Sequence, residues 1–226
     1  MLALVLAAPA QAADIESLEQ LGKESYFAFV DRADVVRAEP SASARKVSKL
    51  TRKSPEGTDD LVSVLARTTD DSGRVWLKVS LPVRPNGTTG WVPEAALSEL
   101  QPINTWLKID TKAYKLTLIK NGKTVFSARV GVGQKQWPTP KGQFFIRAKL
   151  EKFGGAGSVY GPVAFITSAT SPTLTDWPGG GIVGVHGTNT PGLIPGRISH
   201  GCVRLRNADV LKLARLLPVG TPLTIT

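Results

Sequence analysis

Cysteine is almost missing from this sequence. Cys202 is the only one, so no disulfide can form within the chain. Histidine is nearly as scarce, with His186 and His200 alone. These three residues are the only Cys and His donors for a zinc site, and no metal-ligand spacing motif accompanies them; neither a metal nor a cofactor is expected. Long apolar runs are also absent. The longest, near the N terminus, is far too short to span a bilayer, so no transmembrane segment is expected in the mature chain. There is no internal repeat and no low-complexity tract. Acidic residues are scarce in one half only. Residues 1–100 carry 12 Lys/Arg against 14 Asp/Glu, a net of −2, whereas residues 101–226 carry 16 against 4, a net of +12. The second half is therefore a basic unit suited to an anionic partner. Its basic residues are dispersed rather than interleaved with aromatics, which argues against nucleic acid.

Glycine (22) and proline (16) are plentiful and favour turn-rich β structure. The first residues, MLALVLAAPAQAAD, combine an apolar run at Leu2–Ala8 with an A-x-A pattern at Ala10-Gln11-Ala12. Residues 1–13 thus read as a secretory signal, although no Lys or Arg precedes the run. An exported protein with one unpaired cysteine suggests a reactive thiol.

Asp14–Lys23 reads as a linker or short helix. From about Ser25 to Ser98 short β runs follow: Phe27–Val30, Val47–Leu50, Leu61–Ala66, Val75–Leu81 and Gly90–Val92. Turn clusters such as Asp70-Asp71-Ser72-Gly73 and Arg84-Pro85-Asn86-Gly87 separate them, and Asn86-Gly87 is a hairpin signal. The pattern suggests a small all-β barrel. The segments DVVRAEPSASARKVSKL, WLKVSL and GWVPEAAL resemble a bacterial SH3-like domain of the kind attached to cell-wall enzymes, covering residues 25–99. Trp76 and Trp91 read as core or groove aromatics rather than catalytic groups.

Gln101-Pro102 is a plausible boundary. Beyond it Tyr114, Leu116 and Leu118 alternate with Lys115 and Thr117, a period-two strand, and Asn121-Gly122 supplies a hairpin turn before a returning strand at Val125–Val130. GQFFIRAKL (142–150), PVAFITS (162–168) and GIVGVHG (181–187) read as further strands. NADVLKLARLLP is the one convincing helix, with Asn207 as N-cap, Asp209 in its first turn and Pro218 after its end.

Cys202 lies in RISHGCVRL (197–205), beside His200 and between Arg197 and Arg204. A cysteine nucleophile acts as thiolate and needs a base or a positive environment. Both histidines lie in the last quarter, and either is a candidate base; two strand ends joined by the Pro/Gly-rich loop would bring His186 to Cys202. Gly201 permits a tight turn in which the amides of Gly201 and Cys202 meet one oxygen, as in an oxyanion hole. If the stretch is extended, Cys202, Arg204 and Arg206 share a face. A guanidinium there would lower the thiol pKa and bind a carboxylate.

VHG followed by SHGCVRL is similar to the signature of the L,D-transpeptidase (YkuD-like) catalytic domain. VGVGQKQWPTPKGQF (130–144), with Thr139, Pro140, Gly142 and Phe144, resembles another of its segments, as do YGPVAF (160–165) and the closing NADVLKLARLLPVGTPLTI. The resemblance spans residues 103–226. It implies a mainly β chain: an SH3-like barrel, then a β-rich catalytic domain with one C-terminal helix. It further implies an exported enzyme of the cell wall or periplasm that acts on peptidoglycan stem peptides amid anionic wall polymers. Cys202 would attack the bond to D-alanine in a tetrapeptide stem, and an amine of a second stem would take the acyl group to form a 3→3 cross-link. His186 maps onto the general base and Gly187 onto the carbonyl that orients it. His200, Gly201 and Cys202 map onto the oxyanion segment, Ser199 and Arg204 onto positions that shape the site and hold substrate, and Tyr160 onto the lid. Transfer to water (an L,D-carboxypeptidase) or to a protein amine (an anchoring enzyme) uses the same acyl-enzyme. A non-catalytic wall-binding protein is the alternative of another class.

Overall fold

The structure is a computed structural model that describes residues 14–151, 157–174 and 180–226. The signal-like residues 1–13 lie outside the described residues. The described chain is mainly β, with one α-helix. Its first sheet is built from β1 (Glu16–Ser17), β2 (Ser25–Phe29), β3 (Val35–Arg37), β4 (Lys46–Lys49), β5 (Leu61–Thr69), β6 (Val75–Ser80), β7 (Thr89–Pro93) and β8 (Gln101–Ile103). The spatial order is β4-β3-β7-β6-β5-β2-β8, with β1 on β5, and every pair is antiparallel. All five runs read from the first half of the sequence are strands. Residues 14–23 hold a strand rather than the helix that was one of two expectations. Gln101–Ile103, at the expected boundary, pairs with β2 and belongs to this sheet.

Val62, Val64, Leu77, Val79 and Val92 fill the core on one face of this sheet, whereas Trp76 and Trp91 pack against Ala66 in a separate buried cluster. Asp70 shows how the β5–β6 turn is held. Its Oδ1 accepts from Ser72 Oγ, Ser72 N–H and Arg74 N–H, and its Oδ2 accepts from Trp76 Nε1 at 2.8 Å. These bonds, that from the Ser72 hydroxyl foremost, hold its carboxyl down at about 2.

The second sheet comprises β9 (Thr105–Asp110), β10 (Lys115–Lys120), β11 (Lys123–Arg129), β12 (Gly131–Gly133), β13 (Gly142–Glu151), β14 (Val163–Thr170), β15 (Ile182–His186), β16 (Gly196–Ser199), β17 (Val203–Arg204) and β18 (Pro222–Ile225). Their order is β11-β10-β9-β18-β13-β14-β15-β17-β12-β16. The helix α1 spans Asn207–Ala214 and buries Val210 and Leu213 on the core of this sheet. Asn121 and Gly122 both take positive φ (49° and 73°) between paired Lys120 and Lys123, the two-residue turn that the Asn-Gly signal predicts.

Asn86-Gly87 behaves differently. Only Gly87 has positive φ (83°), and an eight-residue connection joins β6 to β7. The Asn86 side chain reaches out to the second sheet instead. A buried ion pair also joins the two sheets: Arg147 donates from Nε to Asp60 Oδ1 (2.7 Å) and from Nη2 to Oδ2 (2.8 Å). Among the described residues, no helix is long and apolar enough to cross a membrane.

Candidate active site

Strand periodicity sets up the site. Along GIVGVHG the side chains of Val183 and Val185 are buried in the core, which turns Ile182, Gly184 and His186 to the opposite face. Along CVRL, Val203 and Leu205 enter the same core and leave Cys202 and Arg204 on the other side. β15 and β17 pair in parallel, Val185 opposite Val203 and His186 opposite Arg204. The pairing brings His186 and Cys202, sixteen residues apart in sequence, to one cleft of about 180 Å³ that Tyr160, His200 and Arg204 also line. A larger hollow of about 440 Å³ lies in the first sheet's half at Arg32, Arg37, Arg74 and Trp76, where no thiol or imidazole reaches.

The imidazole of His186 is fixed by the backbone. Its Nδ1 lies 2.6 Å from the Gly187 carbonyl oxygen. A carbonyl can only accept, so the neutral ring carries its proton on Nδ1 and presents the lone pair on Nε2. Burial lowers its pKa to about 4, against the opposing pull of hydrogen bonds to the Gly187 and Tyr160 backbone. The Cys202 thiol is half-buried, and its Sγ accepts from Gly184 N–H at 3.4 Å. Burial pushes its pKa up despite that bond and the Arg204 charge. The guanidinium lowers the thiol pKa as expected, but desolvation is the larger effect and the net shift is upward. The resting pair is therefore neutral thiol and neutral imidazole, and no hydrogen bond joins them.

Around the thiol, the chain is held by its own polar groups. Ser199 is fully buried; its Oγ donates to the Cys202 carbonyl (2.5 Å) and accepts from Gly201 N–H (3.1 Å). The hydroxyl thus both donates and accepts within the SHGC turn, and Ser199 shapes the site. The same bond removes Gly201 N–H from the expected pair of oxyanion donors, leaving Cys202 N–H without an acceptor among the described residues. Gly201 contributes otherwise, through a φ of +120° that side chains rarely adopt.

Thr139 completes this turn, a contribution that sequence reading missed. Its Oγ1 accepts from Gly133 N–H and donates to the Gly201 carbonyl, each at 2.8 Å. A trans peptide points its C=O and N–H in opposite directions, so anchoring Gly201 O on Thr139 turns Cys202 N–H to the other side.

The remaining expected residues occupy distinct places. The Tyr160 ring stands edge-on to His186, with centroids 5.1 Å apart. His200 is exposed and packs against Trp137, with the rings tilted by 41° and their centroids 4.1 Å apart. Arg204 is half-buried on the cleft, and its buried Nε has no partner among the described residues. Arg206 leaves the shared face because the chain turns there into α1; its guanidinium donates to the Ile194 carbonyl at 2.8 Å. Asn207 does not cap the helix. Its Oδ1 accepts from Thr188 N–H at 2.9 Å and lies where a Cβ on Gly187 or Gly161 would collide with it. Only glycine fits at 187, so Asn207 and Gly161 pack directly on the residue that orients His186. Among the described residues, no group of three His, Cys, Asp or Glu side chains is placed to hold a metal ion.

A family model described as the YkuD L,D-transpeptidase catalytic domain matches residues 104–225. The chain is 30% identical over 119 residues to the YkuD protein of Bacillus subtilis, a match covering 53% of this chain and 64% of that protein. It thus spans less than two thirds of that relative's length. It is 52% identical over 42 residues to the YbiS protein of Escherichia coli, covering 19% of this chain and 14% of that protein. Among solved structures it is similar to the catalytic domain of the E. faecium L,D-transpeptidase, with a TM-score of 0.40 at 22% identity over 54% of this chain and 96% of that one. The matched stretch takes in both histidines, the cysteine and the closing helix, and it fills more than half the chain, which therefore belongs to the YkuD family of L,D-transpeptidase catalytic domains.

Proposed function

We propose that the protein is a peptidoglycan L,D-transpeptidase with Cys202 as nucleophile and His186 as general base. The observation that carries this reading is the Nδ1···O contact of 2.6 Å between His186 and Gly187, which orients the imidazole in the cleft that holds the chain's one thiol. Nε2 takes the Cys202 proton as Sγ attacks the carbonyl carbon of the bond to D-alanine. The oxygen turns anionic and accepts from Cys202 N–H. The imidazolium then protonates the departing D-alanine amine, which leaves a thioester. An amine of a second stem attacks that thioester, His186 takes its proton, and the thiol is restored. A 3→3 cross-link results.

Arg204, with an unpartnered buried Nε, suits a stem carboxylate. Tyr160 and His200 line the rim of the cleft. The basic charge of residues 101–226 suits a wall rich in anionic polymers. In this reading residues 25–99 form an SH3-like unit, residues 103–226 form the catalytic unit, and residues 1–13 direct export. Incubation with a tetrapeptide stem and with a carbapenem, followed by mass analysis of intact protein and products, tests it. A covalent adduct is expected on the wild-type chain and none on Cys202→Ala; an unmodified wild type would sink the proposal. Free tripeptide as the sole product would point to the L,D-carboxypeptidase instead.

A further inference from the structure

The loop between β6 and β7 makes five hydrogen bonds to the second half of the chain, and all of them fall on the short stretch Thr170–Leu174. The Asn86 amide pairs with Thr170 as a strand neighbour would. Its Nδ2 donates to Thr170 O (2.8 Å), and its Oδ1 accepts from Thr170 N–H and from Thr170 Oγ1, both at 2.9 Å. Arg84 reaches further along. Its Nη2 donates to Ser171 O (3.1 Å) and Leu174 O (3.4 Å). Ser171 N–H in turn donates to Gly181 O at 2.7 Å, which closes the base of the segment between β14 and β15. Gly181 has no room for a side chain, because a Cβ there would collide with Leu174 O and meet Arg84 Nη2 at 3.0 Å.

The residues so gripped are a wall of the cleft. Ser171, Leu174, Gly181 and Ile182 line the same hollow as Cys202, His186 and Arg204. The gripping loop is also longer than its sequence requires. An Asn-Gly pair can close a hairpin in two residues, as it does at Asn121-Gly122, yet β6 and β7 are joined by eight. The extra length carries Arg84 and Asn86 across the junction.

We propose that Arg84 and Asn86 are positioning residues of the catalytic cleft. The first sheet's half is then part of the enzyme's working geometry, because it holds the Thr170–Leu174 wall in register with Cys202 and sets how the donor stem is bound. The effect on the donor rests on the transpeptidase reading above; the grip on the wall does not.

Hydrogen exchange and kinetics on the full chain test the two parts separately. In Arg84→Ala, exchange of the 170–174 amides speeds up at least about tenfold, because their restraint now opens locally. The KM for a tetrapeptide donor rises roughly tenfold while kcat changes far less, since the reacting pair itself is untouched. Arg84→Lys, which keeps a donor within reach of the two carbonyls, restores most of both. Arg32→Ala, on the far side of the same half, matches wild type in both. Asn86→Ala gives a smaller effect in the same direction and serves in place of Arg84→Ala should that variant not fold. Unchanged exchange at 170–174, or faster exchange with unchanged KM, overturns the proposal. A wild-type chain that forms no adduct sinks the transpeptidase reading, and the exchange arm still decides whether the loop grips the wall.

Discussion

The junction between the two sheets and the cleft at Cys202 each hold a buried or half-buried arginine, and the two are finished differently. Arg147 at the junction has a bidentate partner in Asp60, with both side chains nearly sealed from water at 6% and 7% exposure. Arg204 in the cleft has a buried Nε with no partner among the described residues. A buried charge whose donors are all answered within the fold contributes to holding it together. One that is left unanswered costs stability, and an anionic ligand can complete it. The contrast sets a paired arginine at the junction against one in the cleft that suits an anionic ligand.

Breaking the junction should give the largest effect. Asp60→Ala strands the Arg147 charge in a buried site and should cost about 3–5 kcal/mol of unfolding free energy, read from urea melts. Replacing Asp60 and Arg147 together by apolar residues of similar size should recover most of that loss. If Asp60→Ala melts like wild type, the pair is not a structural fixture.

The next effect lies in the cleft and depends on pH. The folded chain keeps His186 neutral down to about pH 4, whereas the unfolded chain protonates it near 6.5. Between those values the unfolded state binds more protons, so stability falls as pH falls through that window, by roughly 3 kcal/mol in all. His186→Gln removes this contribution. Urea midpoints at pH 7 and at pH 4.5 should converge in the variant relative to wild type; an identical loss in both would rule out His186 as its source.

The smallest effect on stability belongs to Arg204. Arg204→Met removes an unsatisfied polar atom and should leave the unfolding free energy within about 1 kcal/mol of wild type, on the stabilising side. The same change should raise the KM for a carboxylate-bearing donor by about tenfold or more. A variant that is badly destabilised yet binds donor normally would reverse the comparison, making Arg204 the structural residue.

Much of this was legible along the chain. The longer strands of both sheets follow from alternating apolar residues and their turn clusters, because a period of two is a local property, whereas short strands such as β3, β12 and β16 carry too few residues to show it. The thiol and its two candidate bases stood out by scarcity. The errors concern polar side chains whose partners lie far away in sequence. Asn207 has the composition of a cap but serves Thr188. Asn86 looks like a tight turn but pairs with Thr170. Each has several partners of similar local merit, and only packing selects one.

The sequence by itself determined the mainly β class, the strand and turn alternation and the residues able to do acyl-transfer chemistry, because these depend on residue type and near spacing. The tertiary structure decided that the Gly187 carbonyl fixes His186 in the cleft, that His186 and Cys202 rest neutral, that Thr139 turns the Cys202 amide, and that Arg84 reaches a wall of the cleft. Each of those depends on strand pairing and desolvation, which are set by residues that meet only when the chain is folded.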